Sequence, residues 1–210
     1  MSQETAMEVT NLERHAGKLA PEDLYSLEDY AALRPDLRAR VMKHKQARKV
    51  AIGPNATLYF EDRLTMQYQI QEMLRIEHIA DAEGIAQELA VYNPLVPDGT
   101  NWKASFMIEY PDAEERRKAL AELKGVERRV WVRVAGFDPV YAIADEDLER
   151  EDETRTSSVH FMRFELTPEM RRAVKAGAAI GAGIDHPHYR HTVEAVAPAV
   201  RDSLAQDLIA

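Results

Sequence analysis

Phe60-Glu61-Asp62-Arg63-Leu64-Thr65-Met66-Gln67-Tyr68-Gln69-Ile70-Gln71-Glu72-Met73-Leu74-Arg75-Ile76-Glu77-His78-Ile79 is the stretch around which the rest of the chain is organised. With successive side chains turned by about 100° in a helix, Met66, Ile70, Met73 and Leu74 gather on one side. Glu61, Thr65, Tyr68, Glu72, Arg75 and Ile79 line nearly the opposite side. An apolar stripe facing away from a Tyr/Glu/Arg stripe predicts core on one flank and a polar network or cleft on the other. The plainer alternative is a wet face laced by Glu72 and Arg75, since charged helix faces are usually solvated. Because Met66, Ile70 and Met73 already take one flank, Glu72 and Arg75 are expected to lie against a sheet.

Outward from this helix the periodicity changes repeatedly. Upstream, residues 50–52 and 57–60 read as strand pieces broken by Gly53-Pro54-Asn55. Before them, residues 34–49 carry Arg34, Arg38, Arg40, Lys43, Lys45, Arg48 and Lys49 against the single acid Asp36, with Leu33, Leu37 and Val41 as a thin apolar stripe. That is a basic amphipathic helix, either a surface for acidic partners or a solvated face balanced by the acidic run 145–153. Downstream, Asp81 caps a helix over 81–92. Trp102, Ala104, Phe106, Ile108 and Tyr110 then alternate as a strand, and Asp112 with Glu115 starts a helix that Gly125 stops. Val130, Val132 and Val134 alternate with Arg129, Trp131 and Arg133; residues 140–144 return as a hairpin partner, and 157–166 and 180–184 are further strands. Helices open at Thr167-Pro168 and around Val200, Leu204 and Leu208. Hairpin-like neighbours outnumber strand–helix alternation, so the class is α+β: a mainly antiparallel sheet with helices packed on one face. Residues 19–210 are expected to form a single domain behind a flexible arm over 1–18.

A chain of 210 residues with 45% hydrophobic residues can bury a sizeable core. Its formal net charge of -9 opposes general attraction to nucleic acid or to an anionic membrane. There are no cysteines, which excludes disulfides, thiol catalysis and Cys-ligated metal or haem. No leader-like N-terminus and no membrane-length apolar run are visible, so a cytoplasmic location is the expectation.

Glu61-Asp62-Arg63-Leu64-Thr65, Gln71-Glu72-Met73-Leu74-Arg75-Ile76-Glu77, Tyr92-Asn93-Pro94-Leu95-Val96-Pro97-Asp98-Gly99-Thr100-Asn101, Ala142-Ile143-Ala144-Asp145-Glu146-Asp147-Leu148-Glu149-Arg150 and Val159-His160-Phe161-Met162-Arg163-Phe164-Glu165-Leu166 together resemble a bacterial family catalogued as domain of unknown function 3501. The likeness runs from about Lys18 to the C-terminal helix. It brings no catalytic residues to carry over. It implies a context beside a rubrerythrin-like protein and an iron–sulfur protein similar to heterodisulfide-reductase subunits, hence a role near redox or peroxide metabolism.

Two constellations carry chemistry. His186 and His188, stiffened by Pro187, would share a side of an extended segment, with His160 and Glu165 approaching from a neighbouring strand. Such imidazole and carboxylate donors suit a first-row metal such as iron or zinc. A polar loop and a core His160 is the structural alternative. No Glu-x-x-His pair of the di-iron bundle type stands in the central helix. Separately, Arg63, Tyr68, Glu72 and Arg75 form a candidate anion site or polar network. Trp131 between Arg129 and Arg133 either stacks a planar ligand or covers the sheet. The chain has no third glycine at dinucleotide spacing, no phosphate loop and no Gly-x-Ser-x-Gly elbow. Three functions follow: a metal- or redox-linked accessory to rubrerythrin-like and iron–sulfur proteins, a protein-interaction or small-anion-binding module without catalysis, or an enzyme of unknown reaction.

Overall fold

The computed structural model describes residues 17–147, 150 and 154–209; residues 1–16 of the expected arm over 1–18 and part of the acidic run 145–153 lie outside them. The described chain divides into two compact units, one drawn from residues up to His44 with Asp62–Asp98, the other from Lys45–Glu61 with the residues from Gly99 onward. The class is the expected α+β with antiparallel pairing throughout.

The first unit is helical: α1 (Leu27–Gln46), α2 (Arg63–Ile76) and α3 (Ala82–Tyr92). Helix α1 starts earlier than the basic run suggests and passes through Pro35. Ser26 Oγ accepts from the Asp29 amide at 3.1 Å, and Glu28 and Asp29 complement the dipole in the first turn. Pro35 forfeits one helical hydrogen bond on an exposed face, where water can satisfy the freed carbonyl. Tyr30, Leu37 and Val41 pack with Tyr68 of α2 as a small core. Asp62 caps α2 reciprocally: its Oδ1 accepts from Thr65 N at 2.9 Å, and Thr65 Oγ1 accepts from Asp62 N at 2.9 Å. His44 on α1 meets the other oxygen of that cap, Nε2 to Oδ2, at 2.5 Å. Besides the apolar Met66, Ile70 and Leu74, α2 buries Thr65, Gln67, Tyr68 and Gln71. Thr65 and Tyr68 of its polar flank are therefore packed rather than wet.

The second unit holds two sheets where the sequence predicted one. Strands β1 (Lys49–Ile52), β2 (Ala56–Glu61), β3 (Asn101–Ile108), β6 (Ile143–Ala144) and β7 (Val159–Glu165) form one, in the order β1-β2-β3-β7-β6. Strands β4 (Val130–Val134), β5 (Val140–Tyr141), β8 (Ile180–His186) and β9 (Tyr189–Val193) form the other, in the order β5-β4-β8-β9. The run 140–144 does return beside β4, but at Ala142 it leaves: Ile143 and Ala144 pair with Arg163 and Met162 of β7 instead. The inner faces of both sheets, with Leu120 of α4 (Ala113–Glu122), Met170 and Val174 of α5 (Pro168–Lys175) and Val200 and Leu204 of α6 (Pro198–Gln206), share one core. Trp102 is fully buried there and donates its indole N–H to Leu204 O at 2.9 Å, so the largest apolar side chain also leaves no orphan donor.

Arg48, read in sequence as part of a basic surface, is 2% exposed. Its guanidinium reaches Phe60 O at 2.9 Å, Ser203 Oγ at 3.1 Å and Asp207 Oδ2 at 2.5 Å, a charge that can be buried because it is paired and its donors are used. Trp131 lies on Gly183 of the neighbouring strand so closely that a Cβ there would collide with the indole. It is 8% exposed, with the Arg133 guanidinium 5.6 Å from the ring centroid. Trp131 thus covers the sheet.

Candidate functional site

On α2, Glu72 lies against α1 and not against a sheet. Its carboxylate takes two parallel bonds from Arg34, Nε at 2.7 Å and Nη2 at 2.9 Å, one from the Tyr30 hydroxyl at 2.7 Å, and two looser ones from Arg75 at 3.3 Å. The i,i+4 spacing of Tyr30 and Arg34 puts both on the side of α1 that meets Glu72. The Arg34 fork holds the Glu72 carboxyl down at about 2, with the Tyr30 and Arg75 bonds adding to it against the opposing effect of desolvation. Burial first, then the bond to Glu72, raises the Tyr30 phenol above its ordinary range. The Arg34 guanidinium is raised by its bond to Glu72. Two guanidinium groups share one carboxylate, and their side chains are 34% and 39% exposed. The cluster carries a net positive charge at a rim open to water.

Arg63, expected with this group, is elsewhere: Nη2 pairs with Asp23 Oδ1 at 2.6 Å. Helical spacing accounts for it, since Arg63 is turned roughly 120–180° from Tyr68, Glu72 and Arg75. Tyr68 stays beside Tyr30 in the small core.

In the second unit, His160 is fully buried on β7. Its Nδ1 meets Asp145 Oδ2 at 2.5 Å, and because a carboxylate only accepts, Nδ1 carries the proton. Nε2 meets Thr156 Oγ1 at 2.9 Å and Ser157 O at 3.1 Å. Asp145, at φ +53°, also accepts from Phe161 N and Arg150 Nη1, each at 3.1 Å. Thr156 Oγ1 approaches Glu127 Oε2 at 3.4 Å, and the Thr156 amide donates to Leu120 O at 3.0 Å. The succession hydroxyl, imidazole, carboxylate is that of an acid–base relay. Here the hydroxyl belongs to a residue 1% exposed, and the imidazole ties residues 145 and 156–157 to the sheet. It is a staple.

Three of the four expected metal donors are engaged by other groups, and the fourth, the His188 ring, lies 5.8 Å from the His186 ring between centroids. His160 is used as above. Glu165 accepts from Thr100 Oγ1 at 2.6 Å and Arg163 Nη1 at 2.7 Å. His186 donates Nε2–H to Lys124 O at 3.0 Å and accepts at Nδ1 from the His188 amide at 3.3 Å. Residues 187–188 are the turn of the β8–β9 hairpin, in which His186 pairs with Tyr189, so His186 and His188 do not line one side of an extended segment. Proline pre-set for a tight turn accounts for it. Among the described residues, no group of three or more His, Asp or Glu side chains is placed to hold a metal ion. Sequence reasoning named Arg34 only as part of the basic helix and missed Tyr30, Asp145 and Thr156 as members of these clusters. The i,i+4 spacing of Tyr30 and Arg34 was the available signal, whereas nothing local marked the other two.

No helix of the described residues is long and apolar enough to cross a membrane. No curated protein matches this chain. A crystal structure of a novel protein of unknown function from Burkholderia pseudomallei is similar to it, with 52% sequence identity over 91% of this chain and 100% of that one, and a TM-score of 0.88. The family model described as a protein of unknown function, DUF3501, matches residues 18–208, and the chain belongs to that family.

Proposed function

We propose that the protein is a binding module without catalysis whose site is the rim formed by Arg34, Glu72 and Arg75 over the buried Tyr30 and Tyr68, and that it takes an anionic oxygen group, carboxylate or phosphate, beside Glu72. The observation that carries this reading is the stoichiometry of charge: two partly exposed guanidinium groups converge on a single carboxylate, leaving one cation uncompensated. Guanidinium forks favour carboxylates and phosphates because their paired donors match paired oxygens. Arg38, one turn beyond Arg34 on α1, is exposed and extends the positive rim toward an acidic partner surface.

Titration with inorganic phosphate and, separately, with a glutamate-rich peptide, followed by the Arg Nε–H resonances, tests this and separates the two sources. Binding should be saturable at low salt, weaken on adding salt, and fall roughly fivefold or more in Arg75→Gln. Unmoved Arg34 and Arg75 resonances with both ligands would rule the site out. The accessory role beside rubrerythrin-like and iron–sulfur proteins rests on the context that the resemblance implies, and its donors are dispersed. Stoichiometric iron or zinc in untagged protein would favour it over the anion reading.

A further inference from the structure

Another row of α2, turned away from Glu72, faces the segment that precedes α1. Arg63, Gln67 and Gln71 follow one another at i, i+4 and i+8. Gln67 Nε2 donates to Asp23 O at 2.5 Å, Gln71 accepts from Tyr25 N at 2.5 Å and donates to Tyr25 O at 3.3 Å, and Arg63 pairs with the Asp23 carboxylate. From the end of α3, Asn93 repeats the device: Oδ1 accepts from Leu19 N at 2.7 Å and Nδ2 donates to Leu19 O at 2.9 Å. Three side-chain amides therefore read main chain, which every sequence offers. Side chains are held as well: Leu19 is 4% exposed, Asp23 is in its ion pair, Lys18 Nζ donates to Asn93 O at 2.7 Å and Val96 O at 3.3 Å, and Tyr25 packs beside the small core. Between them Pro21–Asp23 makes a single tight turn.

The floor of this groove is incompletely satisfied by its occupant. Gln67 is 2% exposed and its Oε1 is buried without a hydrogen-bond partner, and so is Arg63 Nε. A buried donor and a buried acceptor left unpaired on one helix row weaken the hold on the segment in place.

We propose that this row is a peptide groove that residues 18–25 fill in cis, and that it accepts in trans a short segment of a partner protein built alike: an apolar residue followed by a proline-led acidic turn, as in Leu19-Ala20-Pro21-Glu22-Asp23. The apolar residue takes the place of Leu19, and its acid, four residues on, meets the Arg63 guanidinium. The cis segment competes at the high effective concentration of a tethered ligand, so the groove opens only to a partner that outbids it or after the segment is loosened.

The probe is a labelled peptide of residues 17–26 added to the full chain, with anisotropy as the readout. Wild type should bind it at least roughly tenfold more weakly than the Leu19→Ala/Asp23→Ala variant, whose own segment has lost its apolar and its acidic anchor. A peptide with its own aspartate at that position replaced by alanine should lose roughly fivefold. Arg75→Gln should leave this binding unchanged, which keeps its outcome apart from that of the anion site. A cooperatively melting double variant that binds no peptide, or binds a scrambled one equally well, overturns the proposal. Should the double variant not fold, hydrogen exchange on wild type decides: the Leu19 and Tyr25 amides should exchange through local opening, far faster than those of α2. Exchange of those two amides only with global unfolding means a fixed structural strap and ends the idea.

Discussion

The Glu72 cluster and the His160 cluster use similar groups, a carboxylate, a cation-capable side chain and a hydroxyl, yet their surroundings set them to different tasks. Around His160 every ring nitrogen meets a partner and the ring is fully buried, so the network serves to fix residues 145 and 156–157 on the sheet. Around Glu72 the carboxylate is saturated, but the two guanidinium groups that saturate it keep exposed edges. Burial with complete satisfaction gives rigidity, whereas a saturated acid ringed by a surplus of exposed cations gives a surface that can receive another anion. The two clusters can be told apart by removing one member at a time.

The largest effect is expected at His160. His160→Ala leaves the Asp145 carboxylate, 10% exposed, without its imidazole and Thr156 without its main partner, and should cost about 3–5 kcal/mol in urea unfolding. A loss below about 1 kcal/mol would mean that residues 145 and 156–157 are held by backbone alone.

Glu72 should come next, and its effect should depend on pH. Its folded-state carboxyl sits at about 2 against an ordinary 4.5, so its contribution is fully present above 4.5 and fades as pH falls through about 2. The difference corresponds to at most about 3 kcal/mol, and the exposure of Arg34 and Arg75 lowers this to about 2. Stability measured from pH 2 to 5 should therefore slope less in Glu72→Gln than in wild type. Parallel curves would show that the cluster has no electrostatic share in folding.

How far these clusters could be read from sequence follows from the range of the interactions that build them. The α2 helix, the Asp81 cap of α3, the alternation of β3 and the paired strands were legible because each is set by residues within a few positions of one another. That Glu72 would find a partner was legible from the crowding of its opposite flank, but that the partner would be α1 depended on how helices pair in space. Asp145 shows the limit more sharply. It opens an acidic run that reads as solvated, yet it turns at φ +53° to accept from Phe161 N, sixteen residues on. The two-sheet arrangement was hidden likewise, since one apolar run, 140–144, serves both sheets and only Ala142 separates them.

A gentler change tests whether the His160 network extends to Glu127. Thr156→Val keeps the volume and deletes the hydroxyl that lies 2.9 Å from His160 and 3.4 Å from Glu127, so about 1 kcal/mol should be lost. The His160 ring resonances should move as well. If stability falls while those resonances stay in place, the hydroxyl serves Glu127 alone.

The smallest expected effect on folding belongs to Arg75, and it separates the two clusters most cleanly. Its bonds to Glu72 are long, 3.3 Å each, and its side chain is 39% exposed, so Arg75→Gln should change stability by about 0.5 kcal/mol, the range of a surface i,i+3 pair. The same substitution removes the cation that leaves the rim positive, because Arg34 alone is neutralised by Glu72. Anion binding should drop while the melting curve barely moves. A residue kept for stability would show the reverse, with the melt shifting and the affinity not, and the distinction drawn here between a staple and an open rim would then fail at its most exposed member.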